Sequence, residues 1–214
     1  MNYRIIPVTA FAQNCSLIWC EQTRLAALVD PGGDAERIKQ EVSAAGVSLM
    51  QILLTHGHLD HVVRRPNWHS TMACRLSDRK KKMSSGWKVC RRRAGCLVWR
   101  IASPCGRTAG SMKATSSAWG IFLCRCCTVP GIRQARGLFD EASRLLISGD
   151  VIFKGGVGRS DFPRGDHGQL IDAIKRKLLP LGDDVTFIPG HGPMSTLGYE
   201  RQHNPFLQDE MPVW

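Results

Sequence analysis

Thr55-His56-Gly57-His58-Leu59-Asp60-His61 gathers three histidines and an aspartate into seven positions, directly after the apolar run Leu49-Met50-Gln51-Ile52-Leu53-Leu54. Imidazole and carboxylate are natural ligands of zinc and similar borderline metals. On a helix or a strand some of these side chains would diverge; in a tight loop containing glycine they can converge. The whole chain of 214 residues has seven histidines, so three in this one turn point to a metal site.

Upstream of that loop the elements read cleanly. Arg4-Ile5-Ile6-Pro7-Val8 is a short strand, and Cys15–Cys20 and Leu25–Asp30 are two more, joined by the polar turn Glu21-Gln22-Thr23-Arg24. Pro31-Gly32-Gly33 breaks the chain, and Asp34 is placed to cap a helix over 35–45 whose Ile38 and Val42 share a face before Gly46 stops it. Residues 49–55 fit a buried strand. Further on, Arg144–Asp150 is a strand ending in an acid, a helix is expected over 170–179, and 184–192 is the last strand, running into Gly190-His191-Gly192. Alternating strands and helices with polar strand ends indicate a layered α/β fold.

Charge divides the chain differently. The total is 29 Lys+Arg against 18 Asp+Glu, yet residues 62–137 hold 17 of those cations and a single acid, Asp78, for a local net charge of +16. They also hold seven of nine cysteines and four of six tryptophans, with no sustained helical or strand period and no repeat. No stretch approaches the roughly 20 apolar residues needed to span a bilayer, and Met1–Pro7 carries no apolar leader. A cytoplasmic protein with no membrane partner is the expectation, its oligomeric state unread. Residues 1–214 read as one domain with an anomalous segment at 62–137.

Two more polar residues stand at strand ends. Asp150 follows Ile147-Ser148-Gly149, and alone such an aspartate is most often a turn former. His191 sits between two glycines, which allow close approach of backbone and side chain to a site.

Taken together these residues resemble the metallo-β-lactamase superfamily, whose signature T-H-x-H-x-D-H is matched by 55–61. Within it the flanks resemble the short bacterial glyoxalase II-like hydrolases, through Ser148–Pro163 and Ile188–Pro193; the likeness covers residues 1–61 and 138–214. The resemblance implies a four-layer αββα sandwich and a two-metal hydrolase, with two zinc ions expected and iron or manganese compatible. It places His56 and His58 on the first metal with a third histidine. Asp60, His61 and His191 fall on the second, with Asp150 bridging. A hydroxide shared by the two metals would attack the carbonyl, and Asp60 would orient it. The implied substrate is a small-molecule thioester, glutathione esters leading, with no nucleic acid partner. The family's larger members hold glutathione with an added C-terminal helical domain, for which a chain ending at Trp214 has no room. Arg159 and Asp161 lie in the loop after the bridging acid, where Arg159 fits either substrate binding or a structural ion pair.

The resemblance fails in one place. The third histidine belongs to a motif close to C-P-G-H-T-P-G-H, where this chain reads Cys127-Thr128-Val129-Pro130-Gly131-Ile132-Arg133, and Ile132 has no donor atom. Thr128–Ala135 can be encoded ACT GTC CCG GGC ATA CGC CAG GCC. Read from the third letter this gives Cys-Pro-Gly-His-Thr-Pro-Gly. His69–Cys74 likewise accommodates His-Tyr-Gly-Val one frame over. Residues 62–137 are therefore expected to be an out-of-frame translation between two compensating indels. A genuine basic insertion binding nucleic acid, which would make the chain a non-catalytic binding protein, and a Cys-rich zinc module fit less well. Lys80-Lys81-Lys82 and Arg91-Arg92-Arg93 superficially suit the first, but no sustained period marks a scaffold to present them, and Cys124-Arg125-Cys126-Cys127 is too tight for paired zinc ligands. Within enzymes, the alternatives on this ligand set are a one-iron persulfide dioxygenase and a nuclease, since one fold hosts many reactions.

Overall fold

The computed structural model of the chain describes residues 1–61, 114–116, 123–129, 135–161 and 165–208. Strands β1 (Asn2–Val8), β2 (Gln13–Trp19) and β3 (Leu25–Val29) form an antiparallel meander. Helix α1 (Ala35–Ala45) then crosses back, so that β4 (Ser48–Leu53) pairs parallel to β3. A second sheet holds β5 (Ala114–Ser116), β6 (Leu123–Val129), β7 (Ala135–Asp140) and β8 (Leu145–Gly149), together with β11 (Thr186–Pro189) and β12 (Ser195–Thr196). Its order is β12-β11-β8-β7-β6-β5, antiparallel except for the parallel pair β8 and β11. A small hairpin, β9 (Ile152–Phe153) and β10 (Gly156–Val157), follows β8. Helix α2 (His167–Ala173) runs on through a π-helical turn and a 3-10 turn to Leu181, and α3 (Leu197–His203) comes last.

The layers follow from period-2 alternation on strands buried on both faces. On β3, Ala26 and Leu28 pack with Ile38 and Val42 of α1, while Ala27 and Val29 face the other sheet. On β8, Leu146 turns toward Leu170, Ile174 and Leu178, while Leu145 and Ile147 meet Ala27 and Val29. Three apolar layers thus separate helix, sheet, sheet and helix, which is the αββα sandwich expected. Each fully buried Leu, Ile or Phe in them contributes roughly 1.5–3 kcal/mol.

Several elements differ from the sequence reading. Asp34 stands at the start of α1 but makes no capping bond; it is left-handed (φ 48°), and its carboxylate accepts from Thr9 N at 2.8 Å. In β4, the strand read as buried, Leu49 and Ile52 are buried but Met50 is 41% exposed, and β4 stands last in its sheet among the described residues. The helix expected from 170 starts at His167, because Asp166 caps it through Gln169 N at 2.9 Å. The strand at 186–189 is not the last element, since β12 and α3 follow. Strands β5 and β6 and the start of β7 lie within 62–137, where the side-chain pattern shows no period. Ladder hydrogen bonds join backbones, and so need no alternation of side chains.

Candidate metal centre

Because β3 runs parallel to β4 and β8 parallel to β11, the carboxyl ends of the two pairs deliver their following residues as groups. Asp30 follows β3, the loop 55–61 follows β4, Asp150 follows β8 and His191 follows β11. Ligand sites in α/β sheets gather at such carboxyl ends.

All six residues singled out from the sequence meet there, in two groups. In the first, His56 Nε2 and His58 Nδ1 are 2.9 Å apart, and Asp150 Oδ2 lies 3.5 and 3.7 Å from them. In the second, Asp60 Oδ2 is 3.0 Å from His191 Nε2 and 3.8 Å from His61 Nε2. The other oxygen of Asp150 faces this second group, 3.3 Å from His61 Nε2 and 4.0 Å from His191 Nε2. One carboxylate therefore serves both groups, and both have the dimensions to hold a metal ion. A donor-set test agrees: His61 Nε2 and Asp150 Oδ1 are buried and neither has a hydrogen-bond partner. Buried polar atoms are rarely left so, and a cation between them would satisfy both. Gly190 makes room for this arrangement, since a Cβ there would fall 1.9 Å from Asp150 Oδ1.

Asp30 was not singled out in the sequence, yet it organises the histidines. It is 2% exposed and accepts from Thr55 N (2.7 Å), Thr55 Oγ1 (2.5 Å) and His61 Nδ1 (3.0 Å). The Thr55 hydroxyl has a single proton and gives it to Asp30, so it accepts from His56 Nδ1 at 2.9 Å. Both histidines are thereby held with Nδ1 protonated and Nε2 turned to the centre, the usual role of a carboxylate behind a ligating imidazole. The signal available in the sequence was the same as for Asp150, an apolar strand ending in an acid.

Charge is tightly coupled. Burial pulls the His61 imidazole down, but the Asp150 and Asp30 carboxylates outweigh it and raise it to about 10. Burial raises the Asp150 carboxyl, but His56 and His61 more than offset this and hold it far below the usual carboxylate range. Burial and then His56 push His58 below the usual imidazole range. Perturbation of this kind, with named partners in a cleft, marks functional sites.

The remaining candidates lie elsewhere. His167 contacts Ser160 Oγ at 3.2 Å, and His203 contacts Tyr199 O at 3.0 Å, both away from the centre. Arg159 is exposed and paired with Asp161 at 2.8 Å. Ile132, at the place of the third histidine, and His69 lie outside the described residues.

Comparison with known proteins agrees with the fold. The metallo-beta-lactamase superfamily model matches residues 8–63. The hydroxyacylglutathione hydrolase GloC of Haemophilus influenzae is 37% identical, covering 98% of this chain and all of its own. The probable metallo-hydrolase YqgX of Bacillus subtilis is 28% identical, covering 97% and 98% of the two chains. Among solved structures, the BLEG-1 B3 metallo-beta-lactamase superposes with a TM-score of 0.69 at 26% identity, over 96% of this chain and 99% of its own. The chain belongs to the metallo-β-lactamase superfamily, in its glyoxalase II-like branch. It is a metallo-hydrolase with a His/Asp cluster suited to divalent metal.

Proposed function

We propose that the chain hydrolyses a small-molecule thioester, a hydroxyacyl-glutathione being the leading candidate, at a centre of two zinc ions. The observation that carries this reading is the single Asp150 carboxylate with one oxygen toward each histidine group. His56, His58 and Asp150 would hold one ion, and Asp60, His61, His191 and Asp150 the other. Two such ions supply Lewis acidity that activates water and polarises a carbonyl. The residues do the rest. Asp30 keeps Nε2 of His56 and His61 aimed inward. Asp60, whose Oδ2 faces His191 and His61, would hold the second ion and orient the attacking water. The thioester preference rests on the 37% identical hydroxyacylglutathione hydrolase.

The same reading holds that residues 62–137 are out of frame. Its support is the charge imbalance and the absence of a donor at Ile132. Resequencing the coding DNA from about codon 55 to codon 145, with intact protein mass, tests it. A restored histidine makes the first group complete. A confirmed sequence leaves only the second group with three side chains besides Asp150, and weak activity follows. The activity itself is tested by assaying the metal-loaded protein on S-lactoylglutathione, a β-lactam and single-stranded DNA. Hydrolysis of the thioester alone is expected; cleavage of DNA alone would sink the proposal.

A further inference from the structure

Asp150 and His191 leave neighbouring parallel strands, and a last backbone rung ties the strands just before them, Gly190 N donating to Gly149 O at 2.9 Å. Beyond the two residues the chains part, one into the β9–β10 hairpin and the other into β12. Among the described residues one side chain bonds to both. Glu200 of α3 is fully buried, and its two oxygens reach the two segments separately. Oε2 accepts from Gly155 N at 2.8 Å, in the turn five residues past Asp150. Oε1 accepts from Ser195 Oγ at 2.6 Å, four residues past His191. Asn204, one helical turn on and also fully buried, donates to Glu200 Oε2 at 2.9 Å and to Gly156 O at 3.0 Å.

Among the described residues Glu200 makes no ion pair. A buried carboxylate facing only neutral donors is expensive compared with an apolar side chain of similar volume. Apolar packing would bind α3 to the sheet as well, as Leu197 already does. What it would lack is direction: a carboxylate fixes two separate donors at defined distances.

We infer that Glu200 is a positioning residue for the metal centre, fixing the separation of Asp150 and His191. The rung at Gly149 and Gly190 brackets the two residues on one side, and Glu200 brackets them on the other. The 4.0 Å between Asp150 Oδ1 and His191 Nε2 spans the second group, so the effect falls there first. This rests on the metal reading above.

The test is a Co(II) titration of the metal-free full chain, followed by its visible d–d absorption, for the wild type, Glu200→Gln and Ser195→Ala. Glu200→Gln replaces one acceptor with a donor, and one of the two segments loses its anchor. The expected result is Co(II) binding weaker by about tenfold, the scale of other residues standing behind metal ligands, with a changed band shape. Ser195→Ala, which removes only the arm behind His191, weakens binding a few-fold. Melting of the metal-free proteins is measured separately, because a mere fold staple lowers that alone. Unchanged Co(II) affinity and spectrum in folded Glu200→Gln, with a lower melting point, overturns the inference. If Glu200→Gln does not fold, an unchanged Ser195→Ala overturns it equally. A wild-type chain that binds no Co(II) instead defeats the metal reading, an outcome separable from the first because no variant is needed to see it.

Discussion

The two ligand groups lie side by side and share Asp150, but they are held in unequal ways. The second, Asp60, His61 and His191, is braced from several strands. Asp30 holds His61 directly, and Phe11 O accepts from His191 Nδ1 at 3.1 Å. Asn14 secures the His191 turn by donating to Pro189 O and Gly192 O at 3.0 and 2.9 Å. The first group, His56 and His58, comes from one short loop. His56 reaches Asp30 only through the Thr55 hydroxyl, and the third histidine of the resemblance has no counterpart at Ile132. The difference teaches that preorganisation here is supplied by strands that lie far apart in the chain. A group built from a single loop depends on whatever closes it.

The largest effect is expected where the groups cannot be told apart. Asp150→Ala removes the shared carboxylate, and hydrolysis should fall by about 10³-fold or more, as when one member of an interdependent set is lost. Metal content by atomic absorption should fall with it; a variant retaining two equivalents would break the idea of a shared ligand. Asp30→Asn comes next. It disturbs His61 directly and His56 at one remove, so metal affinity should weaken roughly 10–100-fold, read by chelator competition, with the second group suffering more.

Acidity gives a smaller and graded effect. In the metal-free chain His61 is raised to about 10, so its proton competes with metal for Nε2. Metal affinity should therefore climb about tenfold per pH unit between roughly pH 6.5 and 10, where one proton is displaced on binding. For folding the sign is opposite. A raised folded pKa stabilises the metal-free chain fully below the unfolded value of about 6.5, and that stabilisation is lost as pH rises through about 10. Thermal melts across pH 6–11, without and with zinc, check both. The smallest effect separates the groups. Thr55→Val cuts the relay to His56 and leaves the bond between His61 and Asp30, costing roughly 1 kcal/mol. A stepwise zinc titration should show the first group weakened a few-fold and the second unchanged. Equal weakening of both would show that Asp30 treats them alike.

Much of this centre was legible beforehand because its signals are local. The loop 55–61 announces itself by residue type and spacing, and α1 spans 35–45 as read, since Ile38 and Val42 carry a helical period and Gly46 a left-handed stop. Helix α3 went unread because Gly198 and the polar run 199–204 hide its apolar face, of which Leu197 is the buried member. Asp34 followed a capping pattern, but Thr9 N, distant in sequence, took its carboxylate. Asp30 and Glu200 escaped for a related reason. Nothing in a strand-end aspartate or a helical glutamate says which donors the fold will bring to it.

By itself the sequence determined which chemistry is possible, because histidines and aspartates in a glycine-containing loop after an apolar strand have few other uses. It also determined the alternation of strands and helices, because periodicity is a property of neighbours. Only the tertiary structure decided that Asp150 turns one oxygen to each group, and that Asp30 sets the tautomers of His56 and His61. It alone closed Glu200 around the segments leaving Asp150 and His191. Each of these is a contact between residues tens of positions apart or joined through a third, and its geometry is fixed by sheet packing and burial rather than by spacing along the chain.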